Sequence, residues 1–180
     1  MKSIILVRKK HRCAIGVTTG RNVPRKQLQI LQRDCPVHII RSPKTSKEWE
    51  SYYSLRWSVL RKPIGMQKGT EKDDREDSAI HRAIFKNKKI IGVGRLHSVD
   101  KNTSQIRYMG IIDQYRGIGL GKLMVEEFIN ISKKNNVLKV ILYARESAIH
   151  FYIKMDFEIS QKAHRLGDIN HYLMHREIFS

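Results

Sequence analysis

Three glycines at alternate positions, Gly117, Gly119 and Gly121, sit in "GIIDQYRGIGLGKLMVEEFINISKK", immediately ahead of a run with helical apolar spacing. Glycine inside a helix costs about 0.5–1 kcal/mol relative to alanine. Such a cluster at a helix start therefore suggests a backbone that something must approach closely. The first amides of a helix lack internal acceptors, and the helix dipole adds roughly half a positive charge at that end. Glycines remove the side chains that would keep a phosphate away from those donors, which makes an anion cradle. The plainer alternative is that they only permit a tight strand-to-helix turn. Two familiar phosphate loops do not fit. A P-loop needs glycine where Arg116 stands and Ser or Thr where Leu123 stands, and a dinucleotide fingerprint needs a small residue in place of Lys122.

Other chemistry-bearing residues are less organised. His171 and His175 lie four apart on an expected strand with no cysteine or carboxylate at ligand spacing, so no metal site is expected. Cys13 and Cys35 do not make a disulfide framework. With no secretory pattern after the early "SIILV", they point to a reducing, cytoplasmic compartment. The segment "EKDDRED" (Glu71 to Asp77) carries five acids in a chain of net charge +18. It reads as a solvated loop, with the alternative that it draws a cationic amine toward a site.

The elements that would position these residues follow from periodicity. Residues 1–36 hold nine Lys/Arg against one acid and show no clear period. They read as a basic, flexible extension, with a targeting peptide or a packed arm as alternatives. From residue 37 the pattern is regular. "VHIIRS" is a short strand, and a helix follows, capped by Thr45 or Ser46 and stopped by Pro63. "AIHRAIF" and "KIIGVGRLHSV" form a hairpin turning at Asn87-Lys88, and "TSQIRYMGII" is the next strand. After the glycine helix, the apolar run "VLKVILYA" suits a strand covered on both faces. A short helix "SAIHFYIKM" and two closing strands, "FEIS" and "HYLMHREIF", complete the order. The pattern predicts an α/β (α+β) domain over 37–180, with a mixed sheet flanked by helices.

"QYRGIGLGKLM" resembles the coenzyme A pyrophosphate loop of the GCN5-related N-acetyltransferase superfamily, Gln/Arg-x-x-Gly-x-Gly/Ala, through Arg116, Gly119 and Gly121. Downstream, "ESAIHFYIKMDFEI" is similar to that family's short helix with a tyrosine, here Tyr152, followed by a Gly-Phe pair opening the next strand. Phe157 matches the phenylalanine. Asp156 replaces the usual glycine, and Arg145 replaces an asparagine that often contacts the cofactor. A narrower likeness, in "YYSLRWSVLRKPIGMQKGTEKDD" and "GVGRLHS", is to the acyltransferase-like half of bacterial two-domain proteins that carry a hot-dog thioesterase.

The resemblance implies a mostly antiparallel twisted sheet of about six to seven strands and direct acetyl transfer from acetyl-coenzyme A to an amine, with no acyl-enzyme. It implies that the backbone of Met109 and Ile111 pairs with the pantetheine arm. The amides of Gly117, Ile118, Gly119, Leu120, Gly121 and Lys122 would hold the pyrophosphate, with Arg116 adding charge. Tyr152 would protonate the departing thiolate. Some relatives carry a glutamate base on the strand before the loop, but "QIRYMGII" has none, and His97 is a substitute. The acceptor would be a small-molecule or peptide amine. Two other functions compete: malonyl-thioester decarboxylation on the same fold, and nucleic-acid binding through the basic charge. No base-reading motif supports the second, and no apolar run approaches the roughly 20 residues of a membrane span.

Overall fold

A computed structural model of the chain describes residues 3–6 and 37–178. The expected basic extension over residues 1–36 lies outside these residues except for strand β1, Ser3–Leu6. The other strands are β2 Val37–Arg41, β3 Ile80–Lys86, β4 Lys89–Ser98, β5 Thr103–Ile111, β6 Lys139–Arg145, β7 Glu158–Leu166 and β8 Ile169–Glu177. They form one sheet in the order β1-β2-β3-β4-β5-β6-β8-β7. Every neighbouring pair runs antiparallel except β5 and β6, which are parallel. The mixed sheet expected from the pattern is therefore present, mostly antiparallel as the resemblance implies, with seven of its eight strands within residues 37–178.

Helices cover both faces. On one side lie α2, Leu120–Lys134, and the short α3, Ile149–Ile153. The α2 residues Leu120, Leu123, Met124, Val125, Phe128 and Ile129 pack with Leu142, Ala144, Tyr152, Phe157 and Met174 in the larger core. Their spacing of three and four places them on one helical stripe. On the other side α1, Ser46–Leu60, covers a smaller core of Tyr52, Ala83, Phe85, Ile90 and Val93. Thr45 caps α1 by accepting the Glu48 amide at 3.2 Å. Glu48 accepts from the Lys44 amide at 2.7 Å and from Arg41 at 2.6 and 2.8 Å, so this first-turn carboxylate also fastens the helix to β2.

The continuous apolar run in β6 is not covered on both faces. Val140, Leu142 and Ala144 are buried, while Tyr143 is exposed and Ile141 is half-buried. The exposed face looks toward a cavity rather than a helix, which is why apolar composition alone misjudged it.

The acidic segment Glu71–Asp77 is not simply a solvated loop. Arg56 on α1 and Arg95 on β4 are both wholly buried, and this segment neutralises them. Arg95 donates to both Asp73 carboxylate oxygens and to Glu76, and Arg56 donates to Glu76 and to the Glu71 carbonyl. Burial alone would raise the Asp73 carboxyl, but hydrogen bonds from Arg95 and the Arg75 amide, with the Arg95 and Arg107 charges, hold it well below the ordinary carboxylate range. The Asp73 and Glu76 carboxylates are thus spent on these guanidinium groups. Asp74 is exposed and outside the network.

Removing one partner of a buried ion pair leaves the other uncompensated. Asp73→Asn is expected to cost about 3 kcal/mol, lowering the midpoint of a thermal melt by roughly 6–12 °C. Asp74→Asn should change stability by less than about 0.5 kcal/mol. Because the folded carboxyl is depressed, its contribution is complete above about pH 4 and fades as the pH falls lower. The gap between wild type and Asp73→Asn should therefore close in melts at acidic pH.

Candidate active site

The parallel pairing of β5 with β6 covers only Thr103–Ile106 against Lys139–Leu142. Beyond Ile106 the two strands separate, each still paired on its other side. A bulge sharpens the split. Val93 pairs with Gly110 and Arg95 with Arg107, so Gly94 alone faces Tyr108 and Met109. Tyr108 takes a left-handed conformation at φ 53°, which a bulky residue adopts only when its surroundings compel it. Here its ring lies 3.8 Å from the Arg56 guanidinium carbon and its hydroxyl donates to Asp73 at 3.3 Å. The Ile112 amide donates back to Ile91 on β4 at 3.0 Å. Alternation from Ile112 then turns the Ile111 amide toward the split, and Met109, in the bulge, lines the cavity beside it.

A cavity of about 680 Å³ opens at the split. One wall is the glycine loop. The chain leaves β5 through a single turn, Asp113–Tyr115, and enters α2 with Gly117 at φ 75° and Gly119 at φ 89°. Both conformations favour glycine. Gly119 is the N-cap of α2 and supplies no side-chain hydrogen bond, so the first α2 amides are uncapped. Gly121 has a different role. A Cβ there would lie 3.3 Å from the Phe151 ring, closing the space between α2 and α3. Arg116 is exposed, pairs with Asp113 at 2.8 Å and donates to the Ile111 carbonyl at 3.2 Å. Arg116, Gly117, Gly119, Leu120, Gly121 and Lys122 all line the cavity, together with Met109 and Ile111; Ile118 packs against the core beside them.

Tyr152 reaches the cavity from α3. It is buried, and its hydroxyl sits 4.0 Å from the Met109 sulfur. Burial raises the phenol to about 12, so it is fully protonated at neutral pH. α3 ends in a tight reversal at Asp156, φ 60°, where the Phe157 amide donates to the Tyr152 carbonyl at 3.1 Å. Aspartate tolerates this left-handed position better than most residues, and Arg176 pairs with it at 3.2 Å. The glycine missing from the Gly-Phe pair is thus replaced without loss of the turn.

His97 does not line the cavity. It is buried on β4 opposite Gln105, where burial and the charges of Arg95, Arg75 and Arg107 lower its imidazole to about 4. The cavity instead receives two other histidines, His164 on β7 and His171 on β8, stacked with rings 5.0 Å apart. His171 is buried, and its Nδ1 lies 3.1 Å from the Ile169 carbonyl. A carbonyl only accepts, so Nδ1 carries the proton and the Nε2 lone pair is left free in the neutral ring. Burial lowers the His171 pKa, the Ile169 contact opposes this, and His164, Arg145 and Arg61 lower it further. Arg61 and Arg145 also line the cavity.

A mixed sheet split between two parallel strands, with uncapped helix amides at the split, defines a GNAT-type acyltransferase fold. The Acetyltransferase (GNAT) family model matches residues 43–157. The chain is 29% identical over 108 residues to the uncharacterized protein YyaT of Bacillus subtilis (strain 168), covering 60% of this chain and 72% of that protein. It is 33% identical over 84 residues to the glucosamine 6-phosphate N-acetyltransferase of Trypanosoma brucei brucei, covering 43% of this chain and 57% of the relative. A GNAT family acetyltransferase from Elizabethkingia anophelis, solved with acetyl-CoA bound, superposes with a TM-score of 0.58 at 16% identity, covering 78% of this chain and 98% of that one. The chain belongs to the GNAT acetyltransferase family. No helix among the described residues is long and apolar enough to cross a membrane.

Gly119, left-handed, and Gly121, inside the helix, yield a direct check. Gly119→Ala should cost about 1–2 kcal/mol through backbone conformation alone, read as a lowered melting temperature. Gly121→Ala, whose Cβ would press on a ring edge that can shift, should cost less.

Proposed function

We propose that the protein is an N-acetyltransferase that passes an acetyl group from acetyl-coenzyme A directly to a primary amine, in a reducing cytoplasmic compartment. The observation that carries this reading is that one cavity gathers the strand split, the uncapped α2 amides and the Tyr152 hydroxyl. The α2 amides and Arg116 would hold the pyrophosphate of the donor substrate. The free amides of Met109 and Ile111 would receive the pantetheine arm, as a neighbouring strand would pair with them. The Ile111 amide would also donate to the oxyanion that develops on the thioester carbonyl.

Two proton transfers remain. The acceptor nitrogen must be neutral to attack, and we assign that proton to the free Nε2 of His171 rather than to His97, which lies outside the cavity. The nitrogen–carbon bond forms, the carbon–sulfur bond breaks, and Tyr152 gives its proton to the sulfur. In water a thiolate of conjugate acid near 8.5 is a weak base toward a phenol near 10. Burial raises Tyr152 to about 12, which keeps the acid loaded at neutral pH and leaves positioning to offset its weaker acidity. Neither the fold nor this chemistry requires a metal ion.

Calorimetry with coenzyme A and turnover with acetyl-coenzyme A test the reading together. Tyr152→Phe should lower kcat by about 10²-fold or more, with the KM for acetyl-coenzyme A changed by less than about twofold. Because the His171 pKa is lowered, its neutral form persists at neutral pH, and kcat/KM should fall only below about pH 6.5. His171→Asn should remove that acidic limb along with most of the activity. No heat on adding coenzyme A, or full turnover by Tyr152→Phe, would overturn the proposal.

A further inference from the structure

The cavity lining is unusual in its charge. Arg61, Arg107, Arg116, Lys122 and Arg145 border it, and among the described residues no Asp or Glu does. Arg107 reaches Asp73 at 3.3 Å, Arg116 pairs with Asp113 and Lys122 with Glu126. Arg61 donates from Nε to the Thr70 carbonyl at 3.1 Å and from Nη1 toward the Met66 sulfur. Arg145 donates from Nη2 to the Leu60 carbonyl at 3.0 Å. Among the described residues neither Arg61 nor Arg145 has a carboxylate within ion-pair distance. Arg145 is half-buried, and its pKa is lowered by burial and then by Arg61 and Arg116. Charges withdrawn from water are ordinarily paired, so two neighbouring guanidinium groups facing a cavity without an anion are waiting for one.

The sheet register tells which end of the cavity they serve. Arg145 pairs directly with His171, and Tyr143 with Leu173, and residues opposite one another in antiparallel strands share a face. Val140, Leu142 and Ala144 occupy the opposite face, packed with α2 and α3. Arg145 therefore projects on the α1 side, where it meets Leu60, whereas the glycine loop and Tyr152 belong to the α2 and α3 side. The β7–β8 hairpin closes this end. A Cβ at Gly167, in the hairpin turn, would lie 4.0 Å from Ile64 just after α1.

We infer that the acceptor amine carries an oxyanion, a carboxylate or a phosphate, bound between Arg61 and Arg145 beside His171. The inference rests on the acetyltransferase reading and names the substrate class of that same site. A guanidinium matches the two oxygens of either group. It also reverses what the acidic segment suggests in the sequence: a plain cationic polyamine meets positive charge at this mouth.

Amines matched except for the anion test it: glucosamine 6-phosphate against glucosamine for phosphate, and 4-aminobutyrate against butylamine for carboxylate. Each is titrated calorimetrically into the full chain without any acyl donor, then assayed with acetyl-coenzyme A. The anionic member of at least one pair should bind about tenfold or more tightly than its partner, and the pair that responds identifies the oxyanion. Arg145→Met, and separately Arg61→Met, should reduce that preference by about tenfold while coenzyme A affinity stays within about twofold. Two variants guard against one that fails to fold, which melting would reveal. Equal or better binding of the uncharged-group amines, no binding of either anionic amine at millimolar concentration, or a tenfold loss of coenzyme A affinity with the acceptor preference intact would each overturn the inference. The last outcome would assign the guanidinium groups to the nucleotide. A protein that binds anionic amines but not coenzyme A would instead defeat the transferase reading alone.

Discussion

The pairing of two parallel strands stops after four residues on each side, and the site depends on that interruption. While β5 and β6 are joined, from Thr103 to Ile106, their backbone groups satisfy one another. Past Ile106 each strand keeps its outer partner and loses its inner one. Backbone amides and carbonyls must be paired or solvated, so the interior of the sheet holds a slot with strand-like hydrogen-bonding capacity and no strand in it. The uncapped amides of α2 stand at the same opening. A ligand with an extended amide-bearing arm and a phosphate group at its far end fits both deficits at once.

The buried arginine network meets β5 at the bulge beside which the strands separate. Tyr108 sits in a conformation that costs free energy, and it is the residue that gives β5 its bulge. Its ring is wedged over Arg56, and its hydroxyl is tied to Asp73, which in turn is fixed by Arg95. The segment between α1 and β3 thus reaches across the face of the sheet to contact β5. A buried ion pair is a poor source of net stability, since desolvation offsets much of the attraction. Here it fixes the place of the Tyr108 ring and hydroxyl at the bulge. The network neutralises Arg56 and Arg95 with Asp73 and Glu76, and the unpaired side chains open to the cavity on the α1 side among the described residues, Arg61 and Arg145, are cationic.

Much of this was legible in the residues. The glycine loop and the order of strands and helices follow from local spacing, because strand alternation, helix stripes and left-handed turns are decided by neighbours in the chain, whereas Tyr152 is reached through the family resemblance. The acidic segment misled because its partners, Arg56 and Arg95, lie on separate elements far along the chain. No local pattern distinguishes a solvated carboxylate from one that neutralises a buried guanidinium. His97 as the base failed to anticipate the cavity, and His171 went unread as one, for a related reason: reading β7 only as "FEIS" hid a hairpin. A signal was present in "HRLGDINH", where Gly167-Asp168 is a two-residue turn that brings His164 and His171 together. Arg145 registered only as a departure from a family pattern, and its cross-strand pairing with His171 became visible with the sheet register.

The claim that the split strand and the α2 start form one receptor can be examined amide by amide. Hydrogen exchange should be followed on the protein alone and with coenzyme A added. The account predicts that the amides of Met109, Ile111 and Gly119 to Lys122 slow together, with little change on β2, β3 or β7. Unchanged exchange at those amides in a protein saturated with coenzyme A, or protection confined to another surface, would contradict it.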